Sequence, residues 1–547
     1  MFARIKKSGR YEYLQIVENR KVQGKVNQRV IATVGRLDQL QAKGGVEPLV
    51  RSLARFSEKT LLVLSGKGEA NAHAVRIGPA IIFERLWREL GLPRVIRKLL
   101  EARKFEFDVE RAIFLTVLHR LFVSGSDRSC DRWRHDYAIA GEEDIALHHV
   151  YRAMAFLGEE LADQSGATPF APRCTKDLVE EGLFRLHRNL FTGLDLVFFD
   201  TTSIYFEGEG GETLGRFGHS KDHRPDRKQM VVGAILDDSG RPICCEMWPG
   251  NTADVKSLLP VVERLQTRFH IQRFCIVADR GMISAGTIEA LEKSDCNIPY
   301  ILGARMRRVK EVSQQVLSRA GRYHEVHPEG TLAKDPSPLA VKEVMVEGRR
   351  YVVCRNSRQA RKDAAARESM VADLEERIRR NPKALVGNRG YARYLKISKG
   401  GMTIDSKKIE EEASFDGKWV LRTNMTELSA EQVALKYKEL WQVEQVFRDV
   451  KSILDTRPIF HKRDETIRGH VFCSFLALVL RKELDRRLEQ AGHQFEWADI
   501  QRDLKALQEV TVEESGRTLA VRTACVGSCG KVFQAVGVAM PPTIREV

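Results

Sequence analysis

LVFFDTTSIYFEG, residues 196–208, runs apolar for four residues, meets a carboxylate at Asp200 and continues into two threonines. Taken with the residues before it, LDLVFFD (194–200) has the near-continuous apolar character of a strand buried on both faces. Asp200 then stands at the carboxyl end of that strand. Ligands of open α/β sheets gather along that edge, which makes the acid a candidate for chemistry, although an Asp ahead of Thr-Thr-Ser can also satisfy local backbone donors.

Working outward, QMVVGAIL (229–236), PICCEMW (242–248), RFCIVAD (273–279) and IPYILG (298–303) read as further strands. ADVKSLLPVVERLQTRF and the stretch from Ser284 to about Lys293 read as helices, because their apolar residues recur at helical spacing. The order strand, strand, strand, helix, strand, helix, strand predicts a mixed α/β sheet with helices on its faces. Asp279 ends the fourth strand. If the first and fourth strands are neighbours, Asp200 and Asp279 face one crevice.

Residues 305 to about 415 interrupt this pattern with strand-like YVVCRN and the helix RKDAAARESMVADLEERIRR. The run 355–399 carries thirteen Lys/Arg against five Asp/Glu, either a solvated helix face or a nucleic-acid surface. KWVLRTN (418–424) resumes the mixed lobe, and Ser429 caps a long helix expected to reach about Ile453. Within it, in YKELWQVEQVFRDVK, Tyr437, Glu444 and Lys451 are seven residues apart, nearly two turns per step, and share a face. Val443, Val446, Phe447 and Val450 can pack the neighbouring face against the sheet.

Three acids on rigid elements suit one chemistry in particular. Cutting or joining a phosphodiester is served by two divalent ions about 4 Å apart, one activating the nucleophile and one stabilising the leaving oxygen. Mg²⁺ takes oxygen ligands from a few carboxylates plus substrate phosphate, and a nearby lysine and tyrosine can hold phosphates. Asp200, Asp279 and Glu444 are thus the expected metal ligands.

The rest of the chain is compatible with a polyanionic partner. Its 547 residues are 43% hydrophobic and 30% charged, with a net charge of +15 and a pI near 9.3. A surplus of that sign favours partners whose phosphates release counterions on contact. Residues 1 to about 40 are basic and hold two alternating runs, YEYLQIVE and VNQRVIATVG, that predict a β-hairpin. From about 72 to 190 the spacing becomes helical. No secretory signal opens the sequence, and its longest apolar stretch, VFCSFLALVL (471–480), is about half of a spanning helix. The ten cysteines are scattered, and Cys525 and Cys529 lack a second pair or a histidine cluster, so reduced cytosolic thiols without structural zinc are expected.

Read together, FFDTTSIYFEG, GHSKDHRPDRKQMVVG, PGNTADVKSL, VADRGMIS, DGKWVLRTN and the Tyr437/Glu444/Lys451 helix resemble bacterial insertion-sequence transposases of the DDE type. In one large group of these the Glu helix carries Tyr, two residues, Arg, three residues, Glu, six residues, Lys; here Leu440 takes the Arg place, and Arg448, one turn past the Glu, is positioned to compensate. The resemblance is strong over about 195–480. It implies an RNase H-like core interrupted before the last catalytic helix, and recognition of terminal inverted repeats in double-stranded DNA. It further implies metal-dependent nicking with two Mg²⁺ or Mn²⁺ ions held by Asp200, Asp279 and Glu444, joining of the 3′-hydroxyl to target DNA, and a homodimer on paired ends in the bacterial cytoplasm, at the nucleoid when bound. Tyr437, Lys451 and Arg448 would contact DNA near the scissile phosphate. The basic loop containing Arg216, His219, Lys221, His223, Arg224, Arg227 and Lys228 would follow its backbone, with the histidines poor ligands for a hard ion.

Bland readings stand beside several of these. Asn251 and Asp254 suit a turn and a helix cap. Trp419 and Trp441 are expected to be buried against the sheet rather than stacked on an extruded base, and HKRDETIRGH (461–470) suits DNA contact or plain surface equally. The expected division is a small basic module (1–60), a helical DNA-binding lobe (61–190), the core (191–304 and 416–490) around an insertion (305–415), and a helical tail (491–547). A nuclease or resolvase that cuts without joining, and a catalytically silent DNA-binding descendant of a transposase, are the alternatives.

Overall fold

The strand carrying Asp200 spans Asp195–Tyr205, so the acid lies at its middle and not at its end. Thr201, Thr202, Ile204 and Tyr205 are β-branched or aromatic and keep the backbone extended, pairing antiparallel with Gln229–Leu236 as far as Tyr205↔Gln229. What ends near Asp200 is the parallel ladder to Phe274–Ala278, whose last pair is Phe199↔Ala278. Asp200 and Asp279 are each the residue after that last rung, on adjacent strands.

The computed structural model describes residues 2–22, 25–42, 45–46, 71–123, 125–168, 171–187, 195–271, 274–293, 297–327, 339–380, 394–398, 401–452, 456–514 and 517–547. Among them, nine strands form one mixed sheet in the order 324–325, 339–346, 349–356, 418–423, 300–304, 274–278, 195–205, 229–236, 242–249. Part of the stretch expected to interrupt the mixed lobe thus widens its sheet: Leu339–Val346 and Arg349–Asn356 pair with each other, and the latter pairs with Lys418–Thr423.

Side chains alternate across this sheet. Leu196 and Phe198 enter a core shared with the helices Gly78–Glu89, Val109–Phe122 and Asp464–Gln490, whereas Val197 and Phe199 enter a second core with Leu258–Phe269. Both faces are therefore dry, which is why Gln229–Leu236 is an unbroken buried run. A charged network lies under this layer. Lys176 and Asp177 are bonded at 2.6 Å. Arg268 reaches Glu180 at 2.7 Å, Glu181 at 3.0 Å and Glu246 at 3.3 Å, and Arg264 also pairs with Glu246. The network fastens the helices Thr175–His187 and Leu258–Phe269 to the strand Pro242–Pro249.

The helix predicted to run from Ser429 to about Ile453 is two helices, Ala430–Lys438 and Trp441–Ser452. Ser429 caps the first as expected, accepting from the Gln432 N–H at 3.2 Å. The chain turns where Leu440 N–H bonds Tyr437 O and Gln442 N–H bonds Glu439 O, and Leu440, 6% exposed, tucks into the core. Tyr437 therefore comes from a different helix than Glu444 and Lys451. Val443, Val446 and Phe447 are buried as predicted; the side chain of Val450 lies outside the described residues.

The chain divides into two compact units: Met1–Ala74 with Glu509–Thr523 and Pro542–Val547, and Val75–Gln508 with Ala524–Pro541. In the first, the predicted hairpin is Tyr11–Val22 with Lys25–Arg36, and Phe2–Ser8 adds a third strand against Tyr11–Val22. Residues 23 and 24 of its turn lie outside the described residues. The tail is not wholly helical: Gln508–Glu514 and Arg517–Arg522 pair as strands, in keeping with the alternating β-branched residues of QEVTVEE and RTLAVR. They join Asn71–Arg76 and Ile544–Glu546 in a four-stranded sheet. Among the described residues no helix is long and apolar enough to cross a membrane.

Candidate active site

Asp200 lies half-buried on the strand, its Oδ1 accepting from the Thr201 N–H at 2.7 Å. Burial pushes its carboxyl up to about 6; Lys221 and the Thr201 N–H oppose that rise, and Asp279 and Asp254 add to it. The two strand acids therefore feel one another. Asp279 is held from the other side by the Tyr437 hydroxyl, which donates to its Oδ1 at 3.1 Å. The hydroxyl passes over Gly303, where a Cβ would collide with it. Burial, then Asp279, raises the Tyr437 phenol well above its usual range.

Glu444 is exposed in the first turn of its helix. With Asp279, Tyr437, Leu440, Trp419 and Trp441 it lines a cleft of about 360 Å³. A hollow of about 800 Å³ beside the helix Asp464–Gln490 carries none of the three acids, so size does not mark the site. Trp441 is 58% exposed, contrary to the burial expected of it. Trp419 is half-buried with its Nε1 unpaired.

Asp254, which reads as a helix cap, is part of this site. The Thr201 Oγ1 donates to its Oδ1 at 2.7 Å, and Lys221 Nζ lies 3.3 Å from its Oδ2. Lys221 also donates to the Thr201 carbonyl at 2.7 Å. One signal for this was present in the sequence: Thr201 and Asp200 point to opposite faces of the strand, so a polar residue at 201 needs a partner on the Leu258–Phe269 side. Asn251 sits in the exposed turn it was expected to form.

Four of the other cations expected to meet DNA, Lys451, Arg224, Arg227 and Lys228, are held by acids. Lys451 bonds Asp222 at 2.7 Å, and Arg457 pairs with the same carboxylate; burial lowers the Lys451 ammonium and Asp222 opposes it. Arg224 pairs with Asp226 at 2.9 Å, Arg227 with Glu207 at 2.8 Å, and Lys228 with Glu209. The Arg216 guanidinium bonds the Gly215 and Glu212 carbonyls. Arg448 is exposed on the Glu444 helix. In HKRDETIRGH both histidines point inward, leaving Arg463 as its most exposed arginine.

Those histidines belong to the group among the described residues whose potential ligand atoms lie within 4.8 Å of one another, namely Asp127, His461 and His470. The fully buried Arg120 donates to Asp127 at 3.1 Å and to His470 Nδ1 at 2.8 Å. A guanidinium there already supplies the positive charge, and burial lowers His470 to about 4, so the group is a hydrogen-bonded clasp. The acids Asp200, Asp279 and Glu444 are more loosely spaced. They nevertheless offer the harder oxygen donors.

A consequence can be measured. In EDTA the fold should lose stability as pH rises from about 4 to about 6, because folded Asp200 keeps its proton to higher pH than the ordinary 3.8. Mg²⁺ should restore stability above that window, and Asp200→Asn should flatten the slope. Thermal melts with equal slopes in both proteins would assign the pH dependence to other groups.

Comparison with known proteins bears on this site directly. The family described as "Transposase DDE domain" matches residues 192–480, and "IS1634 family transposase, N-terminal domain" matches residues 3–66. No curated protein matches the chain. Among solved structures, a piggyBac transposase synaptic complex with hairpin DNA aligns at 10% identity and a TM-score of 0.35, over 78% of this chain and 79% of that one, a likeness too weak to support any inference. The DDE domain spans more than half of the chain, and its members cut and join DNA with divalent metal ions; this chain belongs to the DDE transposases of insertion sequences.

Proposed function

We propose that Asp200, Asp279 and Glu444 are the catalytic acids of this transposase and hold two ions, Mg²⁺ or Mn²⁺, on which the terminal inverted repeats are nicked and the freed 3′-hydroxyl is joined to target DNA. The observation that carries the reading is the Tyr437–Asp279 hydrogen bond, which draws the second strand acid into the cleft that Glu444 lines. When bound, the ions would activate the attacking oxygen and neutralise charge on the leaving one. The protein's own groups do the rest. Tyr437 fixes the orientation of Asp279, and Asp254 with Thr201 fixes Lys221 beside Asp200. Lys451 and Arg448 approach DNA from the Glu444 helix, and the turn before it carries Leu440 in place of an Arg. Arg224, Arg227 and Lys228, now paired with acids, would exchange those partners for phosphates. Exposed Trp441 at the cleft rim gives base stacking a specific place.

The same reading treats the core as RNase H-like, with residues 305–415 inserted before the Glu helix. It divides the chain near residues 60, 190, 304, 415 and 490 and places two copies on paired ends in the cytoplasm. The test is a labelled duplex carrying the terminal repeat, incubated with the full chain in Mg²⁺ and in EDTA and scored for nicking and joining. Metal-dependent nicking with joining is expected. Nicking alone would favour a nuclease, and binding without either would mark a silent copy.

A further inference from the structure

The amino-terminal sheet sorts its residues by face. Pairing runs Phe2↔Val17, Arg4↔Gln15 and Lys6↔Tyr13 on one side, and Val17↔Val30, Gln15↔Thr33, Tyr13↔Arg36 and Asn19↔Gln28 on the other. Because side chains alternate, Arg4, Lys6, Tyr11, Tyr13, Gln15, Gln28, Thr33 and Arg36 share one face with Phe2, Val30 and the fully buried Val17, and none of the strand residues on it is a carboxylate. Glu12 and Glu18 fall on the opposite face with Ile5, Leu14 and Ile16. Residues 1–42 hold nine Lys/Arg and three Asp/Glu; the register sets Lys7 opposite Glu12 and Arg29 opposite Glu18 on the far face, and leaves Arg4, Lys6 and Arg36 on the face without a strand carboxylate.

The polar residues on that face are linked across all three strands. Arg4 donates to Gln28 Oε1 at 2.5 Å and to Gln15 Oε1 at 3.3 Å, and the Gln15 amide donates to Thr33 Oγ1 at 3.3 Å. Arg36 lies 3.8 Å over the Tyr11 ring and bonds Asp38. Lys6, Gln28 and Thr33 are exposed. A row of amides and a guanidinium held in place by each other is a poor way to bind phosphate alone and a good way to meet the donor and acceptor edges of bases. Gln can bond adenine N6 and N7 together, and Arg can bond guanine O6 and N7. Three strands spaced about 4.8 Å apart span roughly 10 Å from the first axis to the last, so their face can meet base edges only in the major groove, about 12 Å wide, and not in a minor groove about 6 Å wide.

We propose that this face of the three-stranded sheet enters the major groove of the element's terminal repeat, with Gln15, Gln28 and Arg4 reading bases and Lys6 on the backbone. The inference rests on the transposase reading, to which it adds the element that selects the ends.

The test uses the full chain and two duplexes, the terminal repeat bordering its coding sequence and a scrambled version, with affinities from fluorescence anisotropy across a salt series. Gln15→Ala with Gln28→Ala should lower affinity for the repeat about tenfold or more and leave scrambled binding and the salt slope unchanged. Lys6→Ala should weaken both duplexes and reduce the slope by about one. Guanine replaced by 7-deazaguanine in the repeat should weaken the parent protein and not Arg4→Ala; this arm needs no variant to fold in order to show the parent's loss. A glutamine variant that keeps its preference for the repeat, or a parent indifferent to 7-deazaguanine, overturns the inference. Nicking of the repeat in Mg²⁺ is scored in parallel. Preference retained while the parent nicks sinks the groove assignment alone, and preference lost where the parent cuts nothing leaves that assignment standing and removes the catalytic one.

Discussion

Replacing Asp279 by alanine is expected to slow Mg²⁺-dependent nicking of the element's ends by about 10³-fold or more while leaving binding to those ends intact. The loss is large because Asp279 has two jobs. Its carboxylate is a proposed metal ligand beside Asp200, and its Oδ1 is the acceptor that anchors Tyr437 over Gly303. Tyr437→Phe separates the two: the ligand stays and only its orientation loosens, so a decrease of about 10- to 100-fold is expected, the range for groups that orient a ligand. Single-turnover nicking of a labelled duplex, with binding followed separately, ranks the variants. Full activity in Asp279→Ala would remove this residue from the site, and a Tyr437→Phe loss equal to that of Asp279→Ala would give the tyrosine the larger role.

Arg268→Ala should destabilise the larger unit by about 3–5 kcal/mol, the usual cost of removing one partner from a buried ion network. Arg268 is 7% exposed and bonds Glu180, Glu181 and Glu246. Its loss leaves these carboxylates facing one another in a dry layer, with Lys176, Arg264 and Arg173 the cations among the described residues that remain bonded to them. The comparison is Arg88→Ala, which removes an exposed arginine from Glu84 while Arg111 keeps that carboxylate paired, and should cost under about 1 kcal/mol. Urea denaturation read by tryptophan fluorescence distinguishes them, and equal costs would mean that the network relaxes or admits water.

The main elements of the sheet were readable because their residues obey one rule at a time. LVFF and FCIVA are apolar without interruption, and the acid after each of these parallel runs stands out against it. Tertiary demands hid the rest. No Gly or Pro marks the break at Glu439–Leu440, since an apolar residue at 440 fits a continuous helix as well as a turn that buries it. Asp200 seemed to end a strand because Thr-Thr-Ser resembles turn chemistry, yet the antiparallel partner carries that strand on to Tyr205. Glu180, Arg264 and Arg268 look like the polar stripes of two surface helices, and only when the helices meet the strand holding Glu246 do those stripes become a buried network. Phe2–Ser8 was missed as a strand because its lysines and arginine mask the alternation.

The four-stranded sheet that joins Asn71–Arg76 to strands between Gln508 and Glu546 sets an order of events during synthesis. Its partners are made more than four hundred residues after Asn71–Arg76, a delay of roughly 20 to 90 s at ordinary bacterial elongation rates. Until then Asn71–Arg76 waits with its edge unpaired, while the whole length of the catalytic core emerges and can begin to fold. Closing so wide a loop costs little more than closing a shorter one, because the entropy grows only with the logarithm of length. The penalty is time: the nascent chain can have its acids in place well before this sheet is complete.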